Sequence, residues 1–118
     1  ILQTGIMFFM LSIFLNSADL FAVFKMNNIS NYAGLLFFSI LYSPVNFILS
    51  IVFNAISRKH EFEADSFAKK VIGTEIHLIE GLKKLTVSNL GNLYPHKLTV
   101  ILNYSHPPIL KRIDALNK

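Results

Sequence analysis

Cysteine is absent from this chain of 118 residues, and charged residues are scarce. Without cysteine the chain can form neither a disulfide nor a thiolate metal site, so any metal must be bound by histidine or carboxylate. Charged residues make up 15% of the chain, against about 25% in ordinary soluble domains. Hydrophobic residues make up 53%, and so apolar a composition is typical of a membrane protein.

The positive charge lies mainly in the second half of the chain, which carries most of the net charge of +4. Nucleic-acid binding requires a basic face with aromatic or helical readers, whereas these basic residues flank an apolar span. Arg58 and Lys59 follow that span, and only Lys25 precedes it. This asymmetry predicts that residues 57–118 lie on the cytoplasmic side. We therefore expect membrane lipid as a partner, and no nucleic acid.

Two apolar stretches are long enough to cross a bilayer as helices. The first covers residues 1–24 and contains several polar side chains, and the second covers residues 32–56 without a charge. Pro44, near the middle of the second stretch, removes a backbone hydrogen bond and predicts a kink. Asn27 and Asn28 favour a turn between the two stretches.

The segment after the second stretch is predicted to be helical. Helix-forming residues fill positions 57–72, and Gly73 is a natural C-terminal stop. Residues 97–102 form a short apolar run that fits either a helix or a strand. Pro107 and Pro108 fit the first turn of a last helix. The predicted fold class is therefore all-α, with multiple membrane-spanning helices followed by a helical module over residues 57–118.

Carboxylates begin where the second apolar stretch ends. Glu61 and Asp65 are four residues apart, so they share one face of a helix. Two like charges on one face repel each other unless a cation, such as a metal ion or an arginine, lies beside them. Alternatively, these two residues and Glu63 form a solvated stripe that Arg58 and nearby lysines balance. Spacing alone leaves both interpretations open.

A histidine beside the first carboxylate invites comparison with the HExxH zinc motif. In that motif two histidines four residues apart bind zinc, and the glutamate activates water. His60 and Glu61 match its first two positions, but the second histidine is replaced by Ala64. The chain therefore contains no HExxH motif, and its other histidines are not at motif spacing to one another.

Two strings of residues carry a resemblance to a known family. The string EFEADSFA begins at Glu61, and the string YSHPP begins at Tyr104. In this order and spacing, they resemble the C-terminal part of the type I CAAX prenyl proteases, which are integral-membrane zinc metallopeptidases. The resemblance covers nearly the whole chain. It implies hydrolysis of peptide bonds near the C-terminus of prenylated or other membrane-associated proteins, in the endoplasmic reticulum or bacterial cytoplasmic membrane.

The resemblance also implies roles for individual residues. Glu61 matches the family's glutamate ligand to a single zinc ion, whose two histidine ligands belong to an upstream HExxH helix. Asp65 matches a carboxylate that orients a ligand, and Arg112 is its expected partner. His106 matches a histidine that stabilises the developing oxyanion. Because the chain opens at Ile1 inside an apolar stretch, we expect a fragment that is inactive by itself.

Simpler interpretations compete with these roles. His106 could merely cap the last helix, and Arg112 could be an ordinary surface cation. The whole chain could be a non-catalytic helical membrane scaffold or transporter piece, which would tolerate Glu61→Gln and hold no zinc. It also shares its first string, more loosely, with bacterial heat-shock membrane metalloproteases, for which quality control of membrane proteins is the natural task.

Overall fold

The structure is a computed structural model that describes residues 1–26, 28 and 30–118. Within these residues, all regular structure is helical and there is no strand. The helices are α1 (Leu2–Leu15), α2 (Ala18–Val23), α3 (Asn31–Ile72), α4 (Ile76–Ser88), α5 (Lys97–Asn103) and α6 (Ile109–Leu116). The predicted all-α fold class is confirmed.

The chain divides into two compact units, residues 1–49 and residues 50–118. In the first unit, the buried cluster is formed by Phe14 of α1 with Phe38 and Tyr42 of α3. The rings of Phe14 and Phe38 meet edge to face, with centroids 5.9 Å apart, a favoured geometry for aromatic pairs. The first unit is thus held together by aromatic side chains.

The first predicted span is two helices rather than one. α1 ends at Leu15 and α2 begins at Ala18. Between them, the side-chain amide of Asn16 donates to the carbonyl of Ser12 at 2.7 Å. Such local side-chain bonds compete with the helical backbone and favour a break. Asn27 of the predicted turn lies outside the described residues.

The second predicted span and the predicted carboxylate helix form one element. α3 contains 42 residues and passes through Pro44 without interruption. At 1.5 Å per residue it is about 63 Å long, roughly twice the hydrocarbon thickness of a bilayer. Of the helices in the described ranges, α3 is the one long and apolar enough to cross a membrane, judged by length and composition. The kink at Pro44 stays a prediction.

The second unit begins within α3 and contains the remaining helices. Gly73 ends α3 with a φ of +77°, as predicted, because glycine adopts this conformation without steric cost. α4 packs against α6, and Leu82 of α4 and Leu116 of α6 are buried. The Lys69 ammonium donates to the carbonyl of Leu116, which ties the end of α6 to α3.

The ambiguous apolar run is helical. It forms α5, whose N-cap His96 accepts a hydrogen bond through Nδ1 from the amide of Leu98 at 3.3 Å. Pro107 is buried and Pro108 is the N-cap of α6. The two prolines therefore precede the last helix rather than forming its first turn, and the fixed φ of proline sets the direction in which α6 begins.

Candidate functional site

One face of α3 carries a polar stripe that contacts the segment 100–116. Its members are three or four residues apart, so they lie along a single side of the helix. Each one bonds a side chain or carbonyl of that segment. We call this set the polar stripe: Asn54, Arg58, Glu61, Asp65 and Lys69.

Asp65 and Arg112 form the most buried charged pair of the site. Arg112 Nε donates to Asp65 Oδ2 at 2.7 Å, and Arg112 Nη2 donates to Asp65 Oδ1 at 2.7 Å. This bidentate arrangement is the strong form of an arginine–carboxylate contact. The Asp65 hydrogen bonds, together with the charges of Asp65 and Glu61, raise the pKa of Arg112 despite its partial burial. Arg112 is therefore a permanent cation.

Arg112 also reaches the other carboxylate of the face. Its Nη1 lies 3.2 Å from Glu61 Oε1. The same oxygen lies 2.9 Å from Nδ1 of His106. A carboxylate only accepts hydrogen bonds, so Nδ1 of His106 carries the donated proton. The structure thus brings all four residues singled out in the sequence into one cluster, with Arg112 between the two carboxylates.

The second oxygen of Glu61 is unusual. Oε2 is buried and, among the described residues, has no hydrogen-bond partner. A buried acceptor without a partner costs about 1–3 kcal/mol, and more when the group is charged. Its neighbour Oε1 is held by a hydrogen bond from His106 and by the ion pair with Arg112, so the carboxylate cannot easily turn to satisfy Oε2. An unpaired buried oxygen on a fixed carboxylate is suited to bind a cation.

The residues of this chain can supply one ligand to a metal ion. Carboxylate oxygen is an ordinary zinc ligand, and Oε2 of Glu61 is available for that role. In residues 1–26, 28 and 30–118, no three histidine or acidic side chains come together as a possible metal site.

Neighbouring polar residues on α3 do not join the cluster. His60 is exposed. Glu63 is also exposed and lies 3.7 Å from the ammonium of Lys59, one turn earlier. An exposed pair of this kind contributes little to stability. The three acidic residues therefore lie on two faces of α3. Glu61 and Asp65 face α6 and the segment before it, whereas Glu63 is exposed to solvent.

Most contacts of the polar stripe were not predicted from the sequence. Among them are the contact of Arg112 with Glu61, the contact of His106 with Glu61, and the bonds that Arg58 makes to backbone carbonyls. The sequence predicted for Arg58 only a role in membrane topology or in balancing nearby carboxylates. The available signal was its spacing, because it lies three residues before Glu61 and so falls on the same helical face.

Comparison with known proteins decides the family. The sequence model of peptidase family M48 matches residues 1–118. This chain belongs to peptidase family M48. Membership implies a metal, generally zinc. The predicted recognition of the CAAX prenyl protease group is confirmed.

Relatives of this M48 chain are longer. It is 39% identical over 111 residues to the CAAX prenyl protease 1 homolog of Homo sapiens, covering 92% of this chain and 23% of that protein. It is 34% identical over 84 residues to CAAX prenyl protease 1 of Saccharomyces cerevisiae, covering 71% of this chain and 18% of that protein. The chain therefore spans less than a quarter of the length of these relatives.

A solved structure shares the fold of this M48 chain. The crystal structure of S. mikatae Ste24p superposes with a TM-score of 0.77 at 24% sequence identity. The superposition covers 99% of this chain and 30% of that one. This chain therefore shares the fold of one part of that longer protein.

Proposed function

We propose that this M48 chain forms part of a membrane-embedded zinc metalloendopeptidase. The reaction is hydrolysis of peptide bonds near the C-terminus of CAAX-type, prenylated proteins or of other membrane-associated proteins. The observation that carries the proposal is the state of Glu61, whose Oε1 is held by a hydrogen bond from His106 and an ion pair with Arg112, while Oε2 is buried and has no hydrogen-bond partner among the described residues. Such a carboxylate is prepared to supply one ligand to a cation.

The ligand set of the proposal is one glutamate and two histidines around a single zinc ion. Glu61 supplies the carboxylate, and the two histidines belong to residues outside this chain. This set leaves a fourth position open, as in catalytic zinc sites. The small share of the M48 relatives that the chain covers, 23% for the human one, supports a division of the ligands between this chain and the rest of the protein.

Arg112 and Asp65 act together to orient the ligand. Asp65 fixes the guanidinium plane with two hydrogen bonds, and the guanidinium in turn holds Glu61 Oε1. Groups that hold a metal ligand typically change metal affinity or activity by about 10–100-fold when they are removed. We therefore assign Asp65 and Arg112 to positioning Glu61 rather than to the reaction itself.

His106 acts on the substrate carbonyl. The chemistry that a bound zinc ion supplies is polarisation of that carbonyl and a lowered pKa for the attacking water. His106 donates through Nδ1 to Glu61, which leaves Nε2 for the substrate. A protonated Nε2 can then donate to the oxyanion that develops on the carbonyl oxygen. The exposed imidazole, with 74% of its side chain accessible, is open to a peptide.

The length and apolar composition of α3 support the membrane location. The part of α3 before Arg58 is long enough to cross the hydrocarbon, and the site residues follow it in sequence. Arg58 and Lys59 at the junction support a cytoplasmic side for residues 57–118. The proposed location is the endoplasmic reticulum membrane or the bacterial cytoplasmic membrane. A site held at this surface suits substrates that are themselves bound to the membrane.

A pair of glutamine substitutions in the full-length protein tests the proposal. Glu61→Gln should reduce zinc content, measured by elemental analysis, and should lower cleavage of a farnesylated CAAX peptide. We expect a loss beyond the roughly 10–100-fold that removal of a ligand-holding group causes. Glu63→Gln is the matched control, because Glu63 is exposed on the opposite face and should leave both quantities unchanged. Full zinc content and cleavage in Glu61→Gln would overturn the proposal.

A comparison of substrates tests the substrate class. Cleavage of the farnesylated peptide should exceed cleavage of the same peptide without the lipid if prenylated proteins are the substrates. Equal cleavage of both, together with cleavage of unfolded membrane segments, would instead favour general quality control of membrane proteins. Absence of zinc and of cleavage in the unmodified full-length protein would favour the non-catalytic scaffold.

A further inference from the structure

Arg58 binds the backbone that leads into His106. Its Nη1 donates to the carbonyl of Val100 at 3.1 Å and also to the carbonyl of Tyr104. Val100 lies in α5, and Tyr104 is the C-cap of that helix. The carbonyl of Val100 also accepts a hydrogen bond from the amide of Tyr104 at 3.3 Å, so the guanidinium adds a second donor there. It also supplies a donor to the carbonyl of Tyr104, which lies at the C-terminal end of α5, where helix carbonyls lack partners within the helix.

The position of His106 depends on this helix end. Tyr104 is two residues before His106, and the peptide group that Arg58 binds joins Tyr104 to Ser105. Ser105 and His106 are both exposed, so side-chain packing does little to fix them. The backbone at Tyr104 is therefore a principal support of the imidazole on the α5 side.

Arg58 and Glu61 hold the same short segment at two points. They lie three residues apart on one face of α3. Arg58 bonds the backbone before His106, and Glu61 bonds the imidazole itself at 2.9 Å. One helix, α3, therefore fixes both the position of the backbone before His106 and the orientation of the His106 imidazole.

We propose that Arg58 is a positioning residue that holds the Tyr104–His106 segment so that the imidazole of His106 stays at Glu61. This inference rests on the role of His106 under the proposed function. An arginine suits the task because its planar guanidinium is always charged and loses little freedom when it binds two acceptors. Lysine at this position keeps the charge without the planar fork.

The test compares single and double variants of the full-length zinc-bound protein. Arg58→Ala should lower kcat for a farnesylated CAAX peptide by up to about 100-fold, the scale of a 1 Å misplacement. KM and zinc content should stay unchanged, because Arg58 touches neither substrate nor ligand. Arg58→Lys should recover part of kcat. Lys59→Ala, next along the chain but exposed, should behave as the unmodified protein.

The double variant separates positioning from a general structural effect. In a His106→Ala background, Arg58→Ala should lower kcat no further, because the residue it positions is already gone. An equal fall in both backgrounds would overturn the proposal. If Arg58→Ala lowers the zinc content or fails to fold, Arg58→Lys in the same two backgrounds gives the same comparison.

Amide hydrogen exchange supplies a readout that does not depend on activity. Peptides covering residues 97–106 should exchange faster in Arg58→Ala than in Lys59→Ala, because only the first loses the bonds to α5. Unchanged exchange would overturn the proposal even if kcat falls. If His106→Ala alone leaves kcat unchanged, the proposed role of His106 fails, and faster exchange would still support Arg58 as the support of this segment.

Discussion

Arg112 binds Asp65 through two hydrogen bonds of 2.7 Å, although the two residues are 47 positions apart in the chain. Both side chains are largely inaccessible, at 15% and 11% exposure. The pair joins α6 to α3 and directs the remaining guanidinium nitrogen towards Glu61. One contact therefore links the packing of the second unit to the orientation of the candidate ligand.

Breaking this pair should destabilise the protein strongly. Arg112→Met leaves Asp65 buried without a counter-ion, and breaking a buried pair in this way typically costs about 3–5 kcal/mol. Asp65→Asn should cost less, because Arg112 keeps its ion pair with Glu61. The double variant should cost less than the sum of the two, because the interaction is lost only once. Chemical unfolding in detergent, followed by far-ultraviolet circular dichroism, measures the three free energies. Additive costs would contradict direct contact.

Arg112→Lys should weaken zinc binding in the full-length protein while keeping the positive charge. A lysine cannot hold both oxygens of Asp65 and Glu61 Oε1 at once, so Glu61 loses an orienting donor. We expect zinc affinity to fall by about 10–100-fold, measured by competition with a chelator. Lys111→Ala is the control, because Lys111 is exposed on the same helix. If Arg112→Lys and Lys111→Ala bind zinc equally tightly, Arg112 does not orient Glu61 as a zinc ligand.

Two glycines of the second unit should respond to alanine in opposite directions. Gly73 ends α3 at a φ of +77°, where an alanine is strained by roughly 1–2 kcal/mol. Gly81 lies within α4, and a Cβ there meets nothing within 4 Å. Gly81→Ala should therefore stabilise the protein by about 0.5–1 kcal/mol, the difference in helix propensity. The midpoint of thermal unfolding should fall for Gly73→Ala and rise for Gly81→Ala.

A third glycine tests the packing of the first unit. A Cβ on Gly34 would lie 2.5 Å from Leu15 Cδ2 and 3.0 Å from Phe21 Cζ. Leu15 has a flexible end, but Phe21 is only 2% exposed and has little room to move. Gly34→Ala should cost about 1–3 kcal/mol through overpacking. Gly5→Ala in α1, where a Cβ meets nothing within 4 Å, is the control and should not destabilise.

Local sequence signals predicted which segments are helical better than they predicted where each helix begins and ends. The stop at Gly73 was predictable, because a left-handed turn acts on a single residue. The prolines marked the region where the last helix begins, but α6 starts at Ile109, after the two prolines that were expected in its first turn. The sequence did not predict that residues 32–56 and 57–72 form one continuous helix. The change from apolar to polar side chains alters the environment of a helix without interrupting its backbone. The break after Leu15 depends on the side-chain bond of Asn16.

The sequence by itself determined which metal ligands this chain can offer and which carboxylates share a face. The absence of cysteine restricted any metal ligand to histidine or carboxylate, and a spacing of four put Glu61 and Asp65 on one side of α3. Only the tertiary structure decided which oxygen of Glu61 is free, and that His106 and Arg112 meet the other one. These contacts join residues 45 or more positions apart. They depend on how α5 and α6 return to α3, which no local periodicity specifies.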